Sequence, residues 1–169
     1  FFDLFLAILI LILFCPFLFL SSLIILIGSK GPVLFVQKRI GYLERSFKIY
    51  KLRTMYVKHR DLEKQVNLGD KDIVPLGNLI RRLKLDELPQ LINVLKGEMS
   101  FVGPRPFIVE IHNKMPKWAK QRYFVKPGLT GFSQINGNAI LSWEEKWQYD
   151  VKYIHESSFI VDIKVILLT

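Results

Sequence analysis

Residues 4–27 are almost wholly Leu, Ile, Phe and Ala, interrupted by Cys15-Pro16 and by Ser21-Ser22. Asp3 is the single charge in residues 1–27. An apolar run of this length reads as a membrane element and limits everything the rest of the chain can do. A cleaved signal peptide has a basic lead-in, a shorter apolar core and a small-residue cleavage site. No base precedes this run and no A-x-A-like site follows it. The chain opens on Phe1 rather than Met, so a short leader is expected ahead of it. No second apolar run of comparable length occurs in the sequence, and a multi-span transporter is not expected.

Pro16 lies in the middle of the run. Proline removes a backbone donor and clashes with the preceding turn, which kinks or breaks a helix. Two topologies compete. In one, a kinked helix spans the bilayer. In the other, two half-helices meet at Pro16 and the chain enters and leaves on one face. Each half would be about 18 Å long at helical rise, too short for an apolar core of about 30 Å. The carbonyl freed by the proline needs a partner in lipid, and Ser21 or Ser22 can reach back to supply one. On physics alone the plain spanning anchor is the simpler reading.

The charge sits elsewhere. Residues 28–169 carry all 24 Lys and Arg but 14 of the 15 Asp and Glu, a net of +10. That segregation explains how a chain of pI near 9.7 has a mean hydropathy of +0.25. It excludes a disordered chain and an ordinary cytosolic globule. It also excludes a disulfide scaffold, because Cys15 is the sole cysteine and lies in the apolar block. The expected organisation is a membrane element over residues 1–27 and one domain over residues 28–169, long enough to build a core. Both topologies put the Lys/Arg-rich part on the cytoplasmic side.

The second part alternates turns with short elements. Residues 33–39 (VLFVQKR) and 46–53 (SFKIYKLR) are β-rich, with Gly41 in the link, and predict a β-hairpin. Residues 58–71 (KHRDLEKQVNLGDK) are polar and mixed in sign, as in a solvated helix and loop. Leu76, Leu79, Ile80 and Leu83 form an amphipathic stripe, followed by a second of Leu88, Leu91, Ile92 and Leu95. The second helix would start at Asp86-Glu87-Leu88-Pro89, with Asp86 as cap and the proline in its first turn. Gly103-Pro104-Arg105-Pro106 must be a rigid loop, and residues 126–131 (KPGLTG) another tight one. Residues 116–124 (PKWAKQRYF) read as a short basic-aromatic helix. Ser142 and Glu145 fit a capping box, and Trp147, Val151 and Ile154 mark one side of the helix behind it. Residues 159–168 (FIVDIKVILL) fit a core helix or an interfacial one.

Asp86-Glu87 is the sharpest chemical feature. Basic neighbours and a helix N-terminus would keep these carboxylates ionised. An ionised Asp can attack phosphorus, and an adjacent Glu can hold Mg²⁺, a hard cation that takes few ligands from protein. An isolated pair of this kind is more simply a helix cap. Arg81 and Arg82 upstream and Arg105 downstream add forks suited to phosphate oxygens, or to anionic head groups. Lys51 and Arg53 are further candidates for phosphate contact, against a solvated strand face as the simpler alternative. His59, His112 and His155 are scattered without ligand spacing and receive no role. Trp143, Trp147, Tyr149 and Tyr153 fit core or membrane belt better than a base-stacking platform.

Five blocks, SKGPVLFVQKRIG, FKIYKLRTM, KLDELPQLINVLKGEMSFVGPRP, KPGLTGFSQINGN and SWEEKWQYDVKYI, occur here in the order they take in the bacterial sugar transferase family. The chain resembles its monotopic polyprenol-phosphate phosphoglycosyl transferases, including the small campylobacter-type enzymes, over essentially its whole length. Its size is similar to the family's minimal catalytic unit. The resemblance implies an α+β, helix-dominated fold. An N-terminal re-entrant membrane helix hairpin is broken at Pro16, and a small cytoplasmic domain with a β-hairpin and amphipathic interfacial helices follows. It thereby reverses the preference for a spanning anchor.

It implies transfer of a sugar 1-phosphate from a UDP-sugar to undecaprenyl phosphate, the first membrane step of glycan assembly. The site would be on the cytoplasmic face of the bacterial inner membrane. Asp86 would be the nucleophile of a ping-pong reaction and Glu87 would bind Mg²⁺. Lys51, Arg81 and Arg105 would contact phosphate. Anionic lipids are expected partners, nucleic acid is not, and a homo-oligomer is open. Three positions depart from the family pattern. Cys15 replaces a Ser before the membrane proline, Lys84 replaces a Ser two before the nucleophile, and Asn138 stands where the family often has Arg. Lys84 would add positive charge favouring ionised Asp86, and Asn138 puts donor preference in question. The alternatives are a non-catalytic module that binds anionic membranes, whose binding would ignore Asp86→Asn, and a nucleic-acid binder suggested by charge alone.

Overall fold

A computed structural model describes residues 2–56 and 71–169. The segment read as a solvated helix and loop, residues 58–71, falls outside the described residues except for Lys71, and His59 falls outside with it. The fold is a helix-dominated α+β arrangement with two small sheets. In chain order the regular elements are α1 (Phe2–Gly28), β1 (Leu34–Ile40), β2 (Ser46–Leu52), α2 (Gly77–Arg82), α3 (Leu91–Leu95), β3 (Ser100–Val102), α4 (Val109–Lys114), β4 (Gly128–Thr130), α5 (Phe132–Ile135), α6 (Trp143–Glu156) and α7 (Phe159–Leu167). Three 3₁₀ segments, Tyr42–Glu44, Leu85–Gln90 and Lys117–Phe124, connect them. The packing divides these residues into two compact units. One unit is Phe1–Gln37 with Ile49–Leu95, the other Lys38–Lys48 with Lys96–Thr169. The β1–β2 hairpin contributes to both.

In the first unit α1 runs through Pro16 as one helix of 27 residues. At helical rise that is about 40 Å, more than the apolar thickness of a bilayer. By length and composition it is able to cross a membrane. Pro16 has no N–H for the Ile12 carbonyl. The Ser22 hydroxyl reaches back one turn, to Leu18 O at 2.7 Å, and not to Ile12 as a repair of the proline gap would require. Only Ala7, Ser21 and Ile25 of α1 are buried. Ile25 joins Leu52, Ile80 and Leu85 in a core against which Phe14, Leu18, Ile24, Val33 and Leu88 pack. Through these residues α1 lies against α3 and against the 3₁₀ turn Leu85–Gln90.

The first amphipathic stripe behaves unlike a stripe in water. Only Ile80 is buried, whereas Leu76, Leu79 and Leu83 are 57, 51 and 59 % exposed. The second helix also starts later than its sequence suggests. Lys84 adopts a left-handed conformation (φ 54, ψ 18) with no side-chain cap, and a 3₁₀ turn precedes α3. Asp86 is therefore not a helix cap but sits inside that turn.

In the second unit β3 and β4 pair in parallel, Ser100 with Gly128 and Val102 with Thr130. Ile40, Phe107, Ile108, Ile111, Met115, Ala119 and Tyr123 form its core, and Trp143 and Trp147 pack on it. The aromatic residues at 143, 147 and 153 are thus core, with Tyr153 also donating to Asp162 Oδ1 at 2.8 Å. The Ser142–Glu145 capping box is present: Glu145 N donates to Ser142 Oγ at 3.3 Å and Ser142 N to Glu145 Oε2 at 2.7 Å. Yet α6 buries Lys146, Asp150 and Tyr153, one position round from the apolar stripe at Trp147, Val151 and Ile154. Of α7 only Val165 is buried, while Phe159, Ile160, Leu167 and Leu168 stand exposed.

Candidate active site

The first unit brings Lys51, Arg81, Asp86 and Glu87 together. Lys51 lies on β2, whose position is tied to α3 by Tyr50 N donating to the Asn93 side chain at 3.3 Å. Asn93 is fully buried. Sequence reasoning passed over it, although a lone Asn between Ile92 and Val94 on an apolar helix is the available signal. Arg81 lies in the last turn of α2, and Leu83 and Lys84 carry the chain into the 3₁₀ turn that holds the carboxylates. Leu85 and Pro89 are buried beneath that turn and leave Asp86 and Glu87 half-buried above it. The same turn packs on α1 through Leu85 and Leu88.

Lys51 Nζ donates to Glu87 Oε1 at 2.6 Å. Asp86 feels the same lysine and Arg81, which lower its pKa, but these lose to burial and, second, to the neighbouring charge of Glu87. Its pKa is raised above the ordinary carboxylate value. Basic neighbours act on Asp86 in the expected direction, but the expected regular helix N-terminus is not there to add to them. The turn supplies no regular helix end, and desolvation outweighs the cations.

Arg53 is placed elsewhere. It is buried, and its guanidinium donates to Ser29 O and Oγ at 2.9 and 2.7 Å and to Lys30 O at 2.9 Å. Its two Nη groups therefore close the C-terminus of α1, where orphan carbonyls need donors.

Arg105 belongs to the second unit. The loop Gly103-Pro104-Arg105-Pro106 is as rigid as its composition predicts, since Gly103, Gly128 and Gly131 bring two backbone segments into direct contact. A Cβ on Gly128 would lie 2.2 Å from Gly103 N, and one on Gly131 would lie 2.3 Å from Gly103 O. The Arg105 charge lowers the pKa of Lys146, after burial, which is the larger cause. His112, given no role from sequence, bonds Tyr123 Oη through Nδ1 at 3.0 Å and meets Glu44 at 3.3 Å. Asn138 has a left-handed backbone (φ 48), which Asn tolerates well, and its N–H bonds Ser133 O at 2.9 Å.

What the first unit offers chemically is a pair of adjacent carboxylates, one of them with a raised pKa, flanked by a lysine and an arginine on a turn that packs against an apolar helix. Known proteins are similar to this chain in sequence. The chain matches the bacterial sugar transferase family over residues 1–169. It is 44% identical over 143 residues to the "Uncharacterized sugar transferase EpsL" of Bacillus subtilis, covering 85% of this chain and 69% of that protein. It is 41% identical to the "Undecaprenyl-phosphate glucose phosphotransferase" of Komagataeibacter xylinus, over 99% of this chain and 34% of that one. It is also 41% identical to the "UDP-glucose:undecaprenyl-phosphate glucose-1-phosphate transferase" of Escherichia coli, over 99% of this chain and 38% of that protein. The chain thus spans little more than a third of the last two relatives.

Proposed function

This chain belongs to the bacterial sugar transferase family, and from that premise we propose that it moves a sugar 1-phosphate from a UDP-sugar to undecaprenyl phosphate. The two relatives named for such a reaction support this, and so does the carboxylate pair with its flanking cations. In the proposed first step a carboxylate oxygen of Asp86 attacks the phosphorus that bears the sugar. The bond to the bridging oxygen breaks and UMP leaves as an anion. In the second step a phosphate oxygen of undecaprenyl phosphate attacks the same phosphorus, forming the polyprenyl diphosphosugar and returning Asp86 as carboxylate. Both leaving groups depart as stable anions, so neither step calls for a proton donor. The demand is for positioning and charge neutralisation.

Lys51 and Arg81 would supply part of that neutralisation, and Arg105 is proposed as a further phosphate contact. A +10 segment attracts a diphosphate, a lipid phosphate and anionic head groups alike. The carboxylate pair fits a divalent cation, because adjacent carboxylate oxygens are the hard donors such an ion takes and Glu87 acts on Asp86 as a like charge even while paired with Lys51. Mg²⁺ held there, chiefly by Glu87, would offset negative charge on the diphosphate. We place the chain at the bacterial inner membrane with residues 28–169 on the cytoplasmic face and α1 entering the bilayer re-entrantly about Pro16. The single observation that carries the reading is the Asp86–Glu87 turn seated on α1 with Lys51 and Arg81 beside it.

The test is UMP release from a panel of UDP-sugars with undecaprenyl phosphate and Mg²⁺. Turnover by the wild type, absent in Asp86→Asn and abolished by a chelator, is expected. Substantial UMP release by Asp86→Asn would sink the nucleophile assignment. Silence with every donor, together with salt-sensitive vesicle binding that ignores Asp86→Asn, would favour a membrane-binding module instead.

A further inference from the structure

In the second unit, four consecutive backbone carbonyls of residues 104–107 are taken by donors from three segments of the chain. Pro104 O accepts from Gly128 N at 3.1 Å, and Phe107 O from Ile40 N at 2.9 Å. Pro106 O accepts from Arg39 Nη1 at 3.1 Å, and Arg105 O from Arg122 Nη2. Gly103 N, just upstream, donates to Thr130 O at 2.9 Å. Two prolines fix φ in the same stretch. The backbone that carries Arg105 is therefore pinned residue by residue.

Arg122 is spent on this task. Its Nε and Nη2 reach Asp150 Oδ2 at 3.0 and 2.9 Å, and its guanidinium lies 3.9 Å from the centre of the Phe107 ring. Both members of the ion pair are fully buried. Burying two charges costs desolvation that their attraction only partly returns, so such a pair is poorly explained by stability alone. Here it aims a planar fork at one backbone carbonyl. A lysine has a single ammonium and cannot hold Asp150 and the Arg105 carbonyl in that forked geometry.

We infer that Arg122, with Asp150 behind it, and Arg39 are positioning residues for Arg105, fixing the backbone from which its side chain meets a phosphate of the donor. This rests on the proposed phosphate contact of Arg105.

The test is a double-mutant cycle on the full chain in lipid nanodiscs, with UDP as the titrated probe. Arg122→Lys is expected to weaken UDP binding about ten-fold, and to cost less than about two-fold when Arg105 is already Ala. An equal loss in both backgrounds, or no loss, overturns the inference. Because Arg122→Lys disturbs a buried pair, thermal melting accompanies it, and Arg39→Lys repeats the cycle from a half-buried residue. In UMP release the same single variants should raise KM for the donor with kcat held within about two-fold. A drop confined to kcat speaks for lost fold and against positioning. The underlying reading fails in a different place. Arg105→Ala binding UDP as tightly as wild type removes the phosphate contact itself, and the positioning role with it, before any backgrounds are compared.

Discussion

The Asp86 carboxyl is held protonated to higher pH than a free one, by burial first and by Glu87 second, with Lys51 and Arg81 pulling the other way. A nucleophile must be ionised to attack, so activity should fall as pH drops through this raised value. The acid limb of kcat/KM is therefore expected above the ordinary carboxylate range. Lys51→Met removes one of the two cations that oppose the shift, and the limb should move to still higher pH. Rates of UMP release between about pH 5 and 8 would reveal the displacement. An unmoved limb in Lys51→Met would mean that Lys51 serves Glu87 alone, through their 2.6 Å contact.

At the scale of elements, α6 shows what a cap is worth. Ser142 is its N-cap in a reciprocal box with Glu145. The Glu145 carboxylate is held below its usual range by the Ser142 hydroxyl first and the Ser142 backbone second. A depressed carboxylate stabilises above its ordinary pKa and loses that contribution as pH falls through the depressed one, so the box loosens in acid. Ser142→Ala should lower stability by about 1 kcal/mol in a denaturant melt, and Ser142→Asp, which keeps an acceptor, should recover most of it. This box was legible because all its partners lie within three residues. The hairpin and the proline-rich loop were legible for the same reason, since turn chemistry is local. Asp86 as a cap was misread because Lys84 takes a left-handed conformation that no propensity favours, and this opens a 3₁₀ turn where a helix start was expected. The buried face of α6 was misread because Asp150 finds its partner in Arg122, 28 residues away. Arg53 was counted with the phosphate candidates, while its guanidinium closes α1 from 24 residues away. Polar pairs of that separation leave no mark on local periodicity.

For the whole molecule, the solvent decides what counts as a buried face. The first unit exposes Leu76, Leu79 and Leu83 and most of α1, and the second exposes Phe159, Ile160, Leu167 and Leu168. Such apolar surfaces are expected of a protein that meets lipid. How α1 meets it turns on Pro16. The proposed re-entrant course puts Asp3 on the same side as the basic remainder, whereas a spanning course puts it on the other. With Cys15 replaced by Ala, Asp3→Cys and Lys152→Cys can be probed singly with a membrane-impermeant maleimide, Lys152 being an exposed position on α6. Re-entry predicts that neither cysteine reacts in intact cells and both react in inverted vesicles. Labelling of Asp3→Cys from outside would establish the spanning course. Pro16→Leu restores the donor for the Ile12 carbonyl and relieves a ring clash, together worth about 3 kcal/mol to a straight helix. If the proline is what turns the chain back, that substitution should move the Asp3→Cys label to the outer face while Lys152→Cys stays protected.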